Sequence, residues 1–396
     1  APSAGDLSTE ALMEACRKGE EATVQAWLAA KAKTSKGLAG HEDGLFDPCG
    51  DSVLHHAARS GSDKVVRLLL EIGRVEVDLP NARNESPLQL ACRRGDTALA
   101  QILLEADADP NRKDASGLTP FLSAVFAGAG EDLLGLFAKA SANLNAQDLR
   151  GVGALHFAAL RGDAKLMDWM LRNGADVDVQ TEHSTTPLML AAKRGNSEVV
   201  STLIGRRANT SLADEAGCTA LMQALSAGHA EAARQVLDSG ASVGVVDSAG
   251  RGPLFHAVLG GALEGVDAVL ARGGRVNMLD EEGRSPLFQA CVMSSPQVVK
   301  RLLEADADPN LHGRSSSLQR GVEAEAEEEE EEDSAARACL DESRTCLQVC
   351  ATLAHSELLT SMLEHGADIN AAPGALGWTA LHLCAVVGND AGASLL

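Results

Sequence analysis

Two stretches of this chain hold metal-ligating residue types at suggestive spacing. LLEADADPN occurs at 103–111 and again at 302–310, placing Asp107, Asp109 and Asn111, then Asp306, Asp308 and Asn310, at alternate positions. Oxygen ligands spaced this way begin a calcium loop, but such a loop also needs Gly at its sixth position. That position is Arg112 in one copy and Leu311 in the other. The second stretch carries Cys339, Cys346, Cys350 and His355, a zinc-type set in which Cys346 and Cys350, four apart, would share one helix face. The copies of LLEADADPN lie 199 residues apart, six steps of 33 with one to spare, so a structural repeat competes with the metal reading.

The elements that would position these residues recur at that step. A large apolar residue returns at Leu54, Leu88, Phe121, Leu155, Leu188, Leu221, Leu254 and Leu287, at intervals of 33 or 34. After a gap of 60 it returns at Leu347 and then Leu381. Each unit reads as two short helices and a turn. Ser52, Ser86, Thr119, Thr186, Thr219, Ser285 and Thr379 stand where a hydroxyl can cap the first helix, worth about 1 kcal/mol. Pro87, Pro120, Pro187 and Pro286 follow at the first helical position, where a missing N–H costs nothing. Gly61, Gly95, Gly162, Gly195, Gly228 and Gly388 end that helix in a left-handed residue. The second helix has i, i+3, i+4 apolar spacing, as in Val199, Val200, Leu203 and Ile204, and runs into NGADVD at 173–178 or HGADIN at 365–370.

The pattern G-x-T-P-L-x-x-A-A-x-x-G, then L-L and G-A-D-x-N, resembles the ankyrin repeat. The resemblance covers about 51–310 and 345–396 in ten or so units, with a helical cap like a half repeat at 9–28. It implies an all-α repeat solenoid of helix-turn-helix units with short β-hairpin fingers, a curved array whose fingers and first helices line a concave face. LLEADADPN then fills the slot of L-L-x-x-G-A-D-x-N, a joint between units and not a metal site. Cys16, Cys92, Cys291, Cys350 and Cys384 fall on the small Ala positions of the repeat, which favours packing over zinc or redox chemistry. His55, His156 and His382 occupy a position where the resemblance implies a bond to a neighbouring unit's backbone.

Composition fits thin stacked layers. Of 396 residues 45% are hydrophobic, yet only 3% are aromatic, with three Trp, seven Phe and no Tyr. No run of 18 apolar residues exists, so no direct membrane insertion is expected. A formal charge of −22 argues against nucleic-acid binding. Nine Cys without a framework fit a reducing compartment, so a cytoplasmic or nuclear monomer is expected. Neither a phosphate loop nor a nucleophile elbow appears in context, so no enzyme activity, cofactor or catalytic residue is expected.

The pair of residues before the first-helix glycine carries more information, because the resemblance turns it toward the concave groove. Arg17, Lys18, Arg59, Arg93, Arg94, Arg161, Lys193 and Arg194 put eight cations on this edge in the first half of an acidic chain. Later units hold Leu259-Gly260, Val292-Met293 and Val386-Val387 there. Cations near a helix C-terminus complement its dipole, about 0.3–1 kcal/mol each, but that does not explain why later units lack them. A stripe for acidic or phosphorylated partner segments is the expected use, with Val292 and Met293 as apolar contacts.

The expected organisation is a helical cap and loop at 1–50, eight repeat units at 51–310, an acidic disordered insertion in a finger loop at 311–344, and two units at 345–396, the last truncated. Residues 311–345 hold eleven acids and four bases. Between Asn310 and Leu347 lie 27 residues more than between the corresponding Asn111 and Phe121. A solvated spacer is preferred there; folding back onto Lys193 and Arg194, or docking a basic partner, stays open. A long first finger is expected at 29–50. Ser294 and Ala354 replace the helix-ending glycine beside the insertion, at about 1 kcal/mol each. The leading functional expectation is a non-catalytic interaction scaffold of the signalling-adaptor type. The alternative is the recognition part of a larger signalling protein, with an enzyme, channel or ubiquitin-ligase adaptor module elsewhere.

Overall fold

The computed structural model describes residues 8–31, 46–71, 75–314, 343–374 and 376–396. The chain forms two compact bodies, Ala1–Glu182 and His183–Leu396. In the first body the helices pair as α1 (Thr9–Lys18) with α2 (Glu21–Lys31), α3 (Val53–Ser60) with α4 (Asp63–Glu71), and α5 (Pro87–Arg93) with α6 (Thr97–Glu105). Two more pairs follow, α7 (Pro120–Ala127) with α8 (Glu131–Lys139) and α9 (Ala154–Arg161) with α10 (Ala164–Arg172). The second body begins with α11 (Pro187–Arg194) and α12 (Ser197–Gly205), α13 (Ala220–Ser226) and α14 (Ala230–Asp238), and α15 (Pro253–Gly260) and α16 (Leu263–Ala271). It ends with α17 (Pro286–Val292) and α18 (Pro296–Glu304), α19 (Cys346–Thr352) and α20 (Ser356–Glu364), and α21 (Ala380–Val387) and α22 (Asp390–Leu395).

Within each body the helices form two layers. First helices pack on first helices, as α3 does on α1 and α5, and second helices pack on second helices, as α4 does on α2 and α6. The core is therefore a row of thin apolar slices. Leu54, Leu88, Phe121, Leu155, Leu188, Leu221, Leu254, Leu287 and Leu347 are all buried, whereas Leu381 in α21 is 47% exposed. Six of the seven expected caps, Ser52, Ser86, Thr119, Thr186, Thr219 and Ser285, each accept a hydrogen bond from the third backbone N–H of the helix, whereas the Thr379 hydroxyl meets the His382 ring. Ser294 (φ 55°) and Ala354 (φ 57°) hold the left-handed conformation that glycine takes in the other units. A hydrogen bond of 2.6 Å between Ser294 Oγ and His355 Nε2 ties these two positions together.

The helical N-terminal cap expected at 9–28 is a helix pair: Ser8 caps α1, Gly19 (φ 70°) ends it, and α2 packs on α4. Trp27 and Leu28 of α2 are buried. Most of the long finger expected at 29–50 lies outside the described residues, but Phe46 bridges to Ser52 at its end.

The two LLEADADPN copies act as joints. Asp107 (φ 63°) and Asp306 (φ 62°) make the left-handed turn after the second helix. The backbone N–H of Asp109 donates to Asp78 of the preceding unit (2.9 Å), and Asn111 Oδ1 accepts from Asn143 N of the next (2.7 Å). In the other copy, Asp308 N donates to Asn277 Oδ1 (2.9 Å) and Asn310 Oδ1 accepts from Asp368 N (2.8 Å). These oxygens and amides bind each other, so the repeated motif is explained without an ion.

Residues 315–342 of the acidic insertion lie outside the described residues, but its two ends meet. Strands β1 (His312–Gly313) and β2 (Arg344–Thr345) pair antiparallel, with His312 opposite Thr345. The same bridge joins Gln147 to Gly153 and Ala213 to Thr219, where only six residues separate the partners instead of 33. The 27 extra residues thus enter a finger without shifting its register.

Candidate functional site

The finger and the first helix of a unit meet through two residues eight apart: the one just before the cap and the one near the helix end. The finger turn sets this up. Asp47 Oδ1 accepts from the N–H groups of Cys49 and Asp51, and Asn81 Oδ1 from those of Arg83 and Glu85, closing tight loops that aim Asp51 and Glu85 back at their own helices. Asp51 then pairs with Arg59 at 2.7 Å and Glu85 with Arg93 at 2.5 Å. The acids are buried, with side chains 2% and 6% exposed, while the guanidiniums are about half exposed. Asn81 Nδ2 joins the two pairs, donating to Asp51 Oδ1 (2.9 Å) and Glu85 Oε2 (3.0 Å). Burial alone would raise the Glu85 carboxyl, but the hydrogen bonds from Asn81 and Arg93 and the charges of Arg93 and Arg83 hold it below its ordinary value.

These residues border an open cavity of about 670 Å³ in the first body, lined by Arg59, Arg83, Arg93 and Arg94, the two acids, Asn81 and Leu90. Arg94 crosses between units and donates from Nη1 to the Arg59 carbonyl oxygen. A Cβ on Gly61 would lie 2.7 Å from Arg94 Nη2, so the glycine also clears a path for that side chain.

Of the other expected stripe residues, Arg17 and Lys18 both pair with Glu14 of their own helix at 3.2 Å and stay more than half exposed. The Arg161 guanidinium lies 5.4 Å from the centre of the Phe157 ring, a cation–π contact. In the second body Lys193 and Arg194 are exposed at the end of α11, Val292 is half-buried and Met293 is exposed. The first body therefore brings Arg59, Arg93 and Arg94 together around one cavity, and the remaining stripe residues lie outside it.

Sequence reasoning missed the finger partners. In three units of the second body the residue before the cap is Arg251, Arg284 or Arg344, and the first-helix residue eight further on is uncharged: Leu259, Val292 or Thr352. Arg344 Nη1 donates to Thr352 Oγ1 at 3.0 Å. Arg284 is buried and binds Asp280 through Nε (2.9 Å) and Nη2 (2.8 Å), with Glu282 at 3.2 Å. Arg251 and Arg284 also lie within 5.5 and 6.0 Å of the Phe255 ring centre. The signal was available in the single column preceding each cap, which holds acids at Asp51 and Glu85, uncharged residues from Leu118 to Cys218, and arginines at Arg251, Arg284 and Arg344.

Two mixed groups, Asp47–Asp51–His56 and Cys218–Asp247–His256, bring ligand atoms within 4.8 Å of one another. Their histidines sit 3.1 and 3.0 Å from Asp47 and Asp247, in a tie from the fourth helical residue back to the finger aspartate. Gln223 makes the same tie to Asp214 at 2.8 Å, and a hydrogen bond between His256 and Asp247 explains the second group; His56 approaches Asp47 without one. Burial pushes the His56 and His256 pKa values down, against the pull of those aspartates, and it raises the Cys218 thiol to about 11. The described residues of the Cys339-to-His355 group, for which packing is the favoured reading, have separate partners. Cys339 lies outside the described residues, His355 bonds Ser294, and buried Cys346 and Cys350 approach Cys291, raising that thiol well above its ordinary value. His55 Nε2 meets the Glu85 carbonyl oxygen of the next unit at 2.9 Å, as expected. His382 does not repeat this contact among the described residues: it is exposed and holds its own cap, Thr379, at 2.8 Å.

Comparison with known proteins agrees with this geometry. A family model described as ankyrin repeats (3 copies) matches residues 155–247 and 235–312, and one described as ankyrin repeats (many copies) matches 54–104. A transient receptor potential cation channel subfamily A member 1 homolog of Caenorhabditis elegans is 31% identical over 34% of this chain and 11% of its own length. Human ankyrin repeat domain-containing protein 63 is 36% identical over 25% of this chain and 27% of its own. The mouse B-cell lymphoma 3 protein homolog is 30% identical over 37% of this chain and 34% of its own. The matches thus span about a tenth to a third of these relatives. The crystal structure of the ankyrin repeat domain of Bcl-3 superposes with a TM-score of 0.51 at 23% identity, covering 58% of this chain and 96% of that one. Repeat spacing, capped helix pairs, backbone joints and family models agree, and the chain belongs to the ankyrin repeat family.

Proposed function

We propose that this protein is a non-catalytic interaction scaffold that takes partner segments between its fingers and first helices. Ankyrin repeats are typical protein-interaction domains, generally without catalysis, and no helix among the described residues is long and apolar enough to cross a membrane. The finer reading is that Arg17, Lys18, Arg59, Arg93, Arg94, Arg161, Lys193 and Arg194 favour acidic or phosphorylated segments, with Val292 and Met293 giving apolar contacts. One observation carries it: Arg59, Arg93 and Arg94 present exposed guanidiniums around a single open cavity in a chain of charge −22. Such segregation raises the local concentration of anionic segments and makes association salt-sensitive. A cytoplasmic or nuclear signalling adaptor acting as a monomer fits this reading.

Affinity capture from native extract tests it, using the wild type and a variant with Arg93, Arg94, Lys193 and Arg194 changed to Glu. The variant should lose at least about tenfold of the captured acidic or phosphorylated partners. Unchanged capture refutes the stripe. A second reading, favoured by the small share of each relative that is matched, is that these repeats serve as the recognition part of a larger signalling protein. Intact mass from the native source separates the two.

A further inference from the structure

The cavity between the fingers and first helices of the first body has a charge balance that selects among anions. Four arginines face two carboxylates, which leaves a formal +2. The four are not equivalent. Arg59 and Arg93 are clamped by buried Asp51 and Glu85. Among the described residues Arg83 and Arg94 form no salt bridge: Arg83, whose charge reaches Glu85 only at longer range, is exposed on the finger turn, and Arg94 is exposed and steadied by the Arg59 carbonyl. Two guanidiniums without a salt bridge thus flank two clamped ones across a polar opening with Leu90 in its lining.

We propose, resting on the acidic-segment reading above, that this cavity is a phosphate-accepting pocket for a phosphorylated serine or threonine in a partner peptide, with Arg83 and Arg94 as its anchors. A phosphomonoester brings about −1.5 to −2 charges and three acceptor oxygens, which matches the +2 and the paired donor geometry of guanidinium. A single carboxylate supplies half that charge and fewer acceptors. Burial of Asp51 and Glu85 fixes two of the four guanidiniums in advance, so less side-chain order is lost on binding. The cavity's 670 Å³ leaves room for peptide beside the phosphate. An extended anionic bilayer suits the site less, because the rest of this acidic chain would be repelled by it.

The test uses the full chain and three labelled, end-blocked peptides, Gly-Gly-Xaa-Gly-Gly, with phosphoserine, Glu or Ser at Xaa, titrated by fluorescence anisotropy. The phosphoserine peptide should bind at least about tenfold more tightly than the Glu peptide, and R83Q/R94Q should erase that preference. R83K/R94K keeps the charge without the two-pronged geometry and should recover only part of it; full recovery means charge alone is read and overturns the assignment. Thermal unfolding checks the variants, and R83Q alone serves if replacing Arg94 disturbs the fold. Equal binding of phosphoserine and Glu peptides sinks the phosphate pocket but leaves the broader stripe standing. So does a preference that survives R83Q/R94Q yet falls on reversal of Lys193 and Arg194. Stronger binding to vesicles containing phosphatidylinositol phosphate overturns the peptide assignment in favour of a lipid. If neither anionic peptide binds and extract capture is also unchanged by charge reversal, both readings fall.

Discussion

The two bodies solve the same local problem with opposite charges. In two units of the first, the residue before the cap is an acid and its partner eight residues on is an arginine, Asp51–Arg59 and Glu85–Arg93. In three units of the second, the finger supplies Arg251, Arg284 or Arg344, and the helix position holds Leu259, Val292 or Thr352. The burial of the arginines changes as well. Both bodies bury finger carboxylates, but the first leaves Arg59 and Arg93 about half exposed, whereas Arg284 and Arg344 are 7% and 6% exposed. A repeat framework thus fixes which positions face each other and leaves open which charge is shown to solvent.

Replacing the buried base should break this contrast most strongly. Arg284→Met leaves Asp280, whose side chain is 1% exposed, with only the finger amides and Arg251 at 3.6 Å, and should destabilise the second body by about 3–5 kcal/mol in urea unfolding. A loss well under 1 kcal/mol would mean that the amides and Arg251 satisfy Asp280. Glu85→Gln should cost less, about 1–3 kcal/mol at pH 7, because Arg93 can turn to water while Asn81 keeps Asp51. The Glu85 pKa is depressed, so its contribution is full above the ordinary carboxylate range and is lost as pH falls through the folded-state value. Wild type and variant should therefore converge in acid; a gap that persists at pH 2 contradicts the ion-pair account.

The smallest effect separates the bodies by pH. The His256 and His56 pKa values both lie below the usual 6.5, so the stability each gives as a neutral side chain is present above that pH and fades as pH drops toward the folded-state value. His256→Gln, copying the Gln223–Asp214 tie, should change stability by about 1 kcal/mol or less at pH 7.5. It should also flatten the pH 5–7 dependence of the second body's amide-exchange protection while leaving the first body's slope intact. Identical slopes in wild type and variant would discard His256 as the titrating group.

Local chemistry was readable in the chain. Ser52, Pro87, Gly195 and even left-handed Ser294 and Ala354 act within a few residues of themselves, so their spacing alone placed them. The alternating Asp and Asn of LLEADADPN could be referred to a unit boundary by period, but their partners, Asp78 and Asn143 among them, appear only once units stack. The candidate site was half legible for the same reason. Arg59, Arg93 and Arg94 stood out as charges near helix ends, while Asp51 and Glu85 reach them only because the finger folds back. Cys291 meets Cys346 and Cys350 across more than fifty residues of sequence, a contact that no short-range rule supplies.

The paired strands at His312–Gly313 and Arg344–Thr345 fasten the ends of the acidic stretch in the register of an ordinary finger. Loop-closure entropy grows only with the logarithm of length, about 0.6 kcal/mol per doubling. Whole segments can therefore be swapped, trimmed or grafted between Arg314 and Ser343 with little penalty to the stack. That finger is an open socket between two units of the second body, a natural place for evolution or an engineer to add a new sequence.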